Sequence, residues 1–210
     1  IALDPATGAE RWSYDPKVPR TSERPYRCRG VAYAEVTQAD VGDACRHRIY
    51  TATNDRRLIA LDARGGQPCG QFGTRGQVTL AEHERHGLEM VGSSSPPVAG
   101  NGVVVVGSSV IDFAYAEAPR GVIAAYDAVT GASRWTFDPL QGQTGTGAAN
   151  AWAPLAVDAG QDLVFVPTGA PSPDYYGVLR PGSNGYANSV VALRLSTGEV
   201  AWAFQLVHHD

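Results

Sequence analysis

Ile123-Ala-Ala-Tyr-Asp-Ala-Val-Thr-Gly-Ala-Ser-Arg-Trp135 decides the fold, because the chain writes this unit four times. The other copies are Ile1-Ala-Leu-Asp-Pro-Ala-Thr-Gly-Ala-Glu-Arg-Trp12, Ile59-Ala-Leu-Asp-Ala-Arg-Gly-Gly66 and Val191-Ala-Leu-Arg-Leu-Ser-Thr-Gly-Glu-Val-Ala-Trp202. Each begins as a short apolar strand and runs into a turn whose glycine lies four residues beyond Asp4, Asp62, Asp127 or Arg194. The Asp and Thr side chains can bond turn amides, and the glycine supplies the left-handed position that closes a hairpin. Three copies place a Trp, a large flat packing surface, eight residues beyond the anchor; the second has Gly70 there.

The anchors are 58, 65 and 67 residues apart, a period that suits one four-stranded sheet and a long connection. Strand-like runs at Arg48–Thr53, Val103–Gly107 and Leu163–Pro167 fill the intervals. The spacing predicts an all-β chain of about four sheets in a radial array, a β-propeller, in which repetition protects sheet edges. A β-sandwich with accidental internal similarity is the alternative.

Composition agrees. The 210 residues include 24 glycines and 14 prolines, which means many turns, and 43% hydrophobic against 18% charged residues is a folding composition. A formal net charge of −4 without charge runs excludes a broad basic surface for nucleic acid. The longest charge-free apolar stretch, around Val103 to Ile111, is about ten residues, short of the roughly 18 that span a bilayer. Cys28, Cys45 and Cys69 form no C-x-x-C, so neither a zinc ribbon nor a thioredoxin-type site is expected; one disulfide and three buried thiols both remain open.

The Asp-x-x-Thr-Gly-x-x-x-Trp unit resembles the tryptophan-docking motif of eight-bladed quinoprotein alcohol dehydrogenases. Cys28-Arg-Gly-Val-Ala-Tyr33, Asn54-Asp-Arg-Arg-Leu-Ile-Ala-Leu-Asp62, Ser95-Pro-Pro97, Ala151-Trp-Ala-Pro154 and Val207-His-His-Asp210 sharpen it. They look like membrane-bound quinoprotein glucose dehydrogenase and its quinate/shikimate relatives, in order along the whole chain. The resemblance implies that residues 1–210 are part of a pyrroloquinoline quinone (PQQ)-binding β-propeller domain, a fragment truncated at both ends. It implies PQQ and Ca²⁺ or Mg²⁺ as cofactors, a sugar or cyclic polyol as substrate, and membrane quinone as electron acceptor on the periplasmic side of the inner membrane. Any membrane anchor is expected outside this stretch. The rival class is a non-catalytic propeller scaffold of the outer-membrane assembly type, which keeps the repeats and needs no axial site.

Carried over residue by residue, Arg29 matches the arginine that pairs with a PQQ carboxylate, a task suited to a guanidinium fork. Ser94 and Ser109 match hydroxyls on the cofactor's carboxylate side, Asn150 a polar contact, and Trp152 the indole lying flat against its rings. Trp152 also falls outside the repeat frame, between Gly-rich and Pro segments. Asp112 matches the metal-ligating carboxylate; it puts a charge into the apolar run Val110-Ile111-Asp112-Phe113, which is costly without a partner. Ser172 stands where the sugar branch has a hydroxyl near the metal. Two departures are visible: the glucose enzymes have Asn where Phe113 stands and His where Pro25 stands. The catalytic aspartate of the family follows three residues past Asp210, so the stretch given is expected not to turn over.

Other signals are set aside. His83-Glu-Arg-His86 has the wrong spacing for a zinc protease and reads as a solvated loop. His208, His209 and Asp210 are consecutive, so on a strand they face opposite ways. The cysteines with His47 are too loosely spaced for zinc. Gly142 to Gly147 lacks the strand-to-helix context of a nucleotide loop and reads as a flexible lining of the route to the cofactor.

Overall fold

Alternation explains the layout. Val103–Val106 forms a strand of four valines, all buried. Val104 and Val106 pack toward one neighbouring sheet, with Tyr50, Leu58 and Phe72. Val103 and Val105 pack toward the other, with Val164, Val191 and Leu193. A strand can be apolar on both faces only when its sheet is sandwiched between two others.

The computed structural model of the chain describes residues 1–19, 29–37, 44–80 and 91–209. Three four-stranded antiparallel sheets stand side by side. The first holds β3 (Ala32–Glu35), β4 (His47–Ala52), β5 (Arg57–Asp62) and β6 (Gln77–Thr79). The second runs β8 (Val98–Gly100), β9 (Val103–Val106), β11 (Ile123–Asp127), β12 (Ser133–Phe137); the third runs β13 (Ala156–Asp158), β14 (Leu163–Pro167), β15 (Ser189–Arg194), β16 (Val200–Gln205). A hairpin, β1 (Ala2–Leu3) with β2 (Glu10–Trp12), precedes them. Strands β3, β8 and β13 head their sheets and neighbour one another, so the sheets radiate from a common inner line. The architecture is the expected β-propeller segment, resolved as three complete blades and the outer hairpin of another. A short pair, β7 (Val91–Gly92) with β10 (Ser109–Val110), caps the open end of the β8–β9 hairpin and was not foreseen from sequence. Among the described residues, no helix is long and apolar enough to cross a membrane.

The repeat works as its chemistry suggests. Asp4 Oδ1 accepts from the Ala6 and Thr7 amides at 3.0 Å, and Asp127 Oδ1 from those of Val129 and Thr130 at 2.9 and 2.7 Å. Arg11 and Arg134, seven residues beyond their anchors, close on the second carboxylate oxygen at 2.6 and 2.5 Å. The Arg11 guanidinium and the Thr7 groups hold the Asp4 carboxyl below its usual range. Trp12 then lies flat on Gly66 of the next blade and donates to Ala63 O at 3.1 Å. Trp135 does the same with Gly198 and Leu195 O, at 3.0 Å. A β-carbon on Gly66 would lie 2.5 Å from the Trp12 ring, which is why this position must be glycine in packing as well as in its φ of +71°.

The second copy departs from this scheme. It has Cys69 in place of the arginine and Gly70 in place of the tryptophan. Cys69 is disulfide-bonded to Cys45, and the Cys45 amide donates to Asp62 Oδ2 at 2.7 Å, occupying the oxygen that the arginine takes elsewhere. Of the two cysteine alternatives, the structure shows the bridge; Cys28 lies outside the described residues. The bridge excludes Cys45 and Cys69 as zinc ligands. It closes a loop spanning 24 positions, worth about 3 kcal/mol in chain-entropy terms. Replacing both cysteines by alanine is therefore expected to lower the unfolding free energy of the intact protein by about that much. Denaturant melts with and without reductant check this, and an unchanged midpoint in the variant would remove the bridge as a stabiliser.

Candidate functional site

The open ends of the inner hairpins converge: residues just before β3, β8 and β13, and just after β9 and β14, lie at one end of the array. Arg29 comes from the first of these, Ser94 from the second and Trp152 from the third. The Trp152 carbonyl accepts from Arg29 Nη1 at 3.1 Å and from Ser94 Oγ at 3.3 Å, and the Arg29 guanidinium carbon lies 5.0 Å from the Trp152 ring centroid. A cation at that range is attracted to the indole face. Arg29 ion-pairs with no carboxylate among the described residues. Trp152 is 46% exposed, whereas the docking residue Trp135 is 9% exposed. An open indole beside a guanidinium and a hydroxyl offers the apolar face and the donors that a flat anionic ring would use.

The backbone under Trp152 is fixed from several sides. Ser95 Oγ donates to Ala153 O at 2.9 Å, Asn150 Nδ2 to Ser108 O at 3.1 Å, and the Gly169 amide to Asn150 O at 3.0 Å. Ala148 and Ala149 sit at φ of +53° and +55°, a costly conformation for alanine, sustained here by amide bonds to Pro119 O and Ala170 O. Asn150 is 1% exposed, and its Oδ1 has no partner; the hydroxyls of Ser93 and Ser108, both 2% exposed, have none either. Ser109, on β10, pairs with Gly92 of β7 and is partly exposed, two residues before the loop carrying Asp112.

Asp112 is partly buried and has near it a second acid that sequence reasoning missed. The Asp174 amide donates to Asp112 O at 3.3 Å, and Asp174 Oδ1 is buried without a partner. Burial pushes the Asp112 carboxyl above its usual value; its own amide counters part of that, and the Asp174 charge adds to it. A divalent cation would relieve both penalties and supply the partner that Asp174 Oδ1 lacks, so this donor pair fits a hard metal ion. The signal was present in the sequence: Asp174 follows Ser172-Pro173 and precedes two tyrosines, another charge in an apolar setting.

Ser172 has a different place. Its hydroxyl donates to Ala116 O at 2.7 Å and accepts from the Gly147 and Ala118 amides at 2.9 and 3.3 Å. Fully buried, it has spent its one donor and both lone pairs on the backbone, and so braces the floor beneath Asp174. Thr146 and Gly147, read from sequence as part of a flexible loop, are buried in that same floor. His208 contacts Gln205 and His209 contacts Arg180 O, so the two imidazoles diverge. No group of three or more His, Cys, Asp or Glu side chains converges as a metal cluster among the described residues. Pro25, His83, His86 and Asp210 lie outside the described residues.

The fold is a segment of a β-propeller, with Asp112, Asp174 and the clamped indole of Trp152 on the loops of its inner strands. The whole chain, residues 1–210, matches the family model described as PQQ: glucose/ethanol/alcohol dehydrogenase, beta-propeller domain, and the chain belongs to this family. It is 38% identical to quinoprotein glucose dehydrogenase A of Acinetobacter calcoaceticus and 39% identical to the glycerol dehydrogenase large subunit of Gluconobacter oxydans. Both matches cover 100% of this chain but only 29% and 30% of those proteins, so it spans about three-tenths of their length. The crystal structure of quinohemoprotein alcohol dehydrogenase from Comamonas testosteroni superposes with a TM-score of 0.72 at 26% identity, over 97% of this chain and 31% of that one.

Proposed function

We propose that residues 1–210 form part of a larger PQQ-binding propeller domain, the cofactor- and metal-holding portion of a dehydrogenase that oxidises a sugar of the glucose type. The observation that carries this reading is the clamp at Trp152, where Arg29 and Ser94 converge on one carbonyl and leave the indole open. In this reading Arg29 pairs with a carboxylate of PQQ, Trp152 supports the ring plane, and Ser94, Ser109 and Asn150 provide polar contacts. Asp112 and Asp174 hold Ca²⁺ or Mg²⁺; Ser172 braces them from below rather than coordinating. The chemistry PQQ supplies when bound is two-electron acceptance from an alcohol C–H bond. The carboxylate that takes the hydroxyl proton is expected three residues past Asp210. The Cys45–Cys69 bridge favours an oxidising compartment, in keeping with a periplasmic site that passes electrons to membrane quinone.

A second reading, oxidation of quinate, shikimate or another polyol, is favoured by Phe113, exposed where the glucose enzymes have Asn. Reconstitution of the intact protein with PQQ and Ca²⁺ or Mg²⁺, followed by dye-linked oxidation, tests both. Turnover of glucose supports the first, turnover of quinate the second, and no turnover of any sugar or polyol overturns the dehydrogenase assignment in favour of a binding scaffold. Asp112→Asn is expected to weaken metal binding at least tenfold, the lower end of what losing a mere supporting partner costs a metal site. Isothermal titration with Ca²⁺ checks it, and unchanged affinity removes Asp112 from the site.

A further inference from the structure

Asp112-Phe113 and Asp174-Tyr175 are two Asp-aromatic dipeptides set against each other by the Asp174 amide on Asp112 O. In each, the acid turns inward and the ring outward: Asp112 is partly buried and Asp174 Oδ1 fully so, while Phe113 is 61% and Tyr175 84% exposed. The two ring centroids are 6.4 Å apart at an interplanar angle of 43°, and among the described residues neither ring has another aromatic neighbour. They form an open, angled pair of apolar faces on the residues that follow Asp112 and Asp174. Large apolar side chains left this exposed as a pair are a feature of ligand and interaction sites.

We propose that Phe113 and Tyr175 are specificity-determining residues that take a cyclic polyol, a pyranose or a polyhydroxylated cyclohexane, by its C–H face. This rests on the dehydrogenase reading above and names its substrate class. A puckered ring carrying hydroxyls presents a flat patch of C–H groups on one side and hydroxyl donors around its rim. The patch matches the aromatic faces, while the rim hydroxyls stay free to meet water and polar groups around the platform. An open-chain polyol has the hydroxyls without a persistent flat face, so it gains the polar contacts and little from the rings. The platform therefore discriminates ring from chain.

The test uses the intact protein as wild type, Phe113→Ala, Tyr175→Ala and Tyr175→Phe, with glucose, quinate and glycerol as probes. In the reconstituted enzyme, each alanine variant is expected to raise KM for the ring substrate by about tenfold, the scale of losing an apolar contact in a specificity pocket. Its kcat for that substrate should stay close to wild type, the KM for glycerol should rise much less, and Tyr175→Phe should restore the wild-type KM. In cofactor-free protein, saturation-transfer NMR is expected to reach glucose or quinate C–H protons in the wild type and to fade in the alanine variants. KM changes that are equal for ring and chain, or absent for both, overturn the platform. Wild-type turnover of glycerol alone also overturns it and leaves the dehydrogenase reading standing. Saturation transfer to rings without turnover of any polyol keeps the platform and overturns the dehydrogenase reading; neither signal overturns both.

Discussion

Trp135→Ala is expected to lower the unfolding free energy of the intact protein by about 3–5 kcal/mol, the range for removing a buried large aromatic. Trp135 is nearly buried, lies on Gly198 and closes the seam between the second and third complete blades, where Val164, Val191 and Leu193 also pack. Truncation leaves a void the size of an indole against a glycine that has no side chain to fill it. It also strands Leu195 O, whose indole partner stood at 3.0 Å. Trp135→Phe separates these effects: the ring still covers Gly198, the carbonyl loses its donor, and a cost of about 1–3 kcal/mol follows. Equilibrium denaturation of both variants measures the difference. Should Trp135→Ala cost under about 1 kcal/mol, the blades would be held by their strands' own packing, and the repeat would not be a docking device.

The motif that builds that seam was readable because each copy of it is local in sequence, although the contact it makes, Trp135 on Gly198 and Leu195 O, spans some 60 positions. Asp127, Thr130, Gly131 and Trp135 lie within nine residues, and their turn chemistry is the same wherever the motif recurs. The strands between the anchors were readable for a similar reason, as short β-branched runs. The β7–β10 pair was not, because two-residue strands have no periodicity to read. Family resemblance named Arg29 and Trp152, but their contact joins residues 123 positions apart and no spacing rule encodes it. For Ser172 the position along the chain gives no hint that its hydroxyl engages three backbone groups from other loops. Asp174 was overlooked because its meaning depends on Asp112, which reaches it only through the fold.

The seam lacking a tryptophan gives the other large effect. Where an indole would cover Gly131, Phe72 and Val78 do so, and the Gly73 amide donates to Thr130 O at 2.8 Å. The carbonyl one residue beyond the anchor, Ala128 O, corresponds to Ala63 O and Leu195 O elsewhere. It accepts from Tyr50 Oη at 2.5 Å and from Arg48 Nη1 at 2.9 Å. Arg48 also donates to Val129 O at 2.7 Å and to Cys45 O at 2.8 Å. Both side chains are essentially inaccessible, and burial pushes the Tyr50 hydroxyl up to about 12, so it remains a donor through the physiological range. Arg48→Met strands the Val129 and Cys45 carbonyls and is expected to cost about 2–4 kcal/mol, since each buried orphan costs roughly 1–3. Tyr50→Phe leaves Ala128 O to Arg48 and should cost only about 1 kcal/mol. Only the double variant leaves that carbonyl with neither donor, so its loss should exceed the sum of the two by at least about 1 kcal/mol. A double-mutant cycle in urea measures this sign directly. Simple additivity would mean that the two donors do not share a task, and the disulfide and Phe72 would then be the whole substitute for the missing indole.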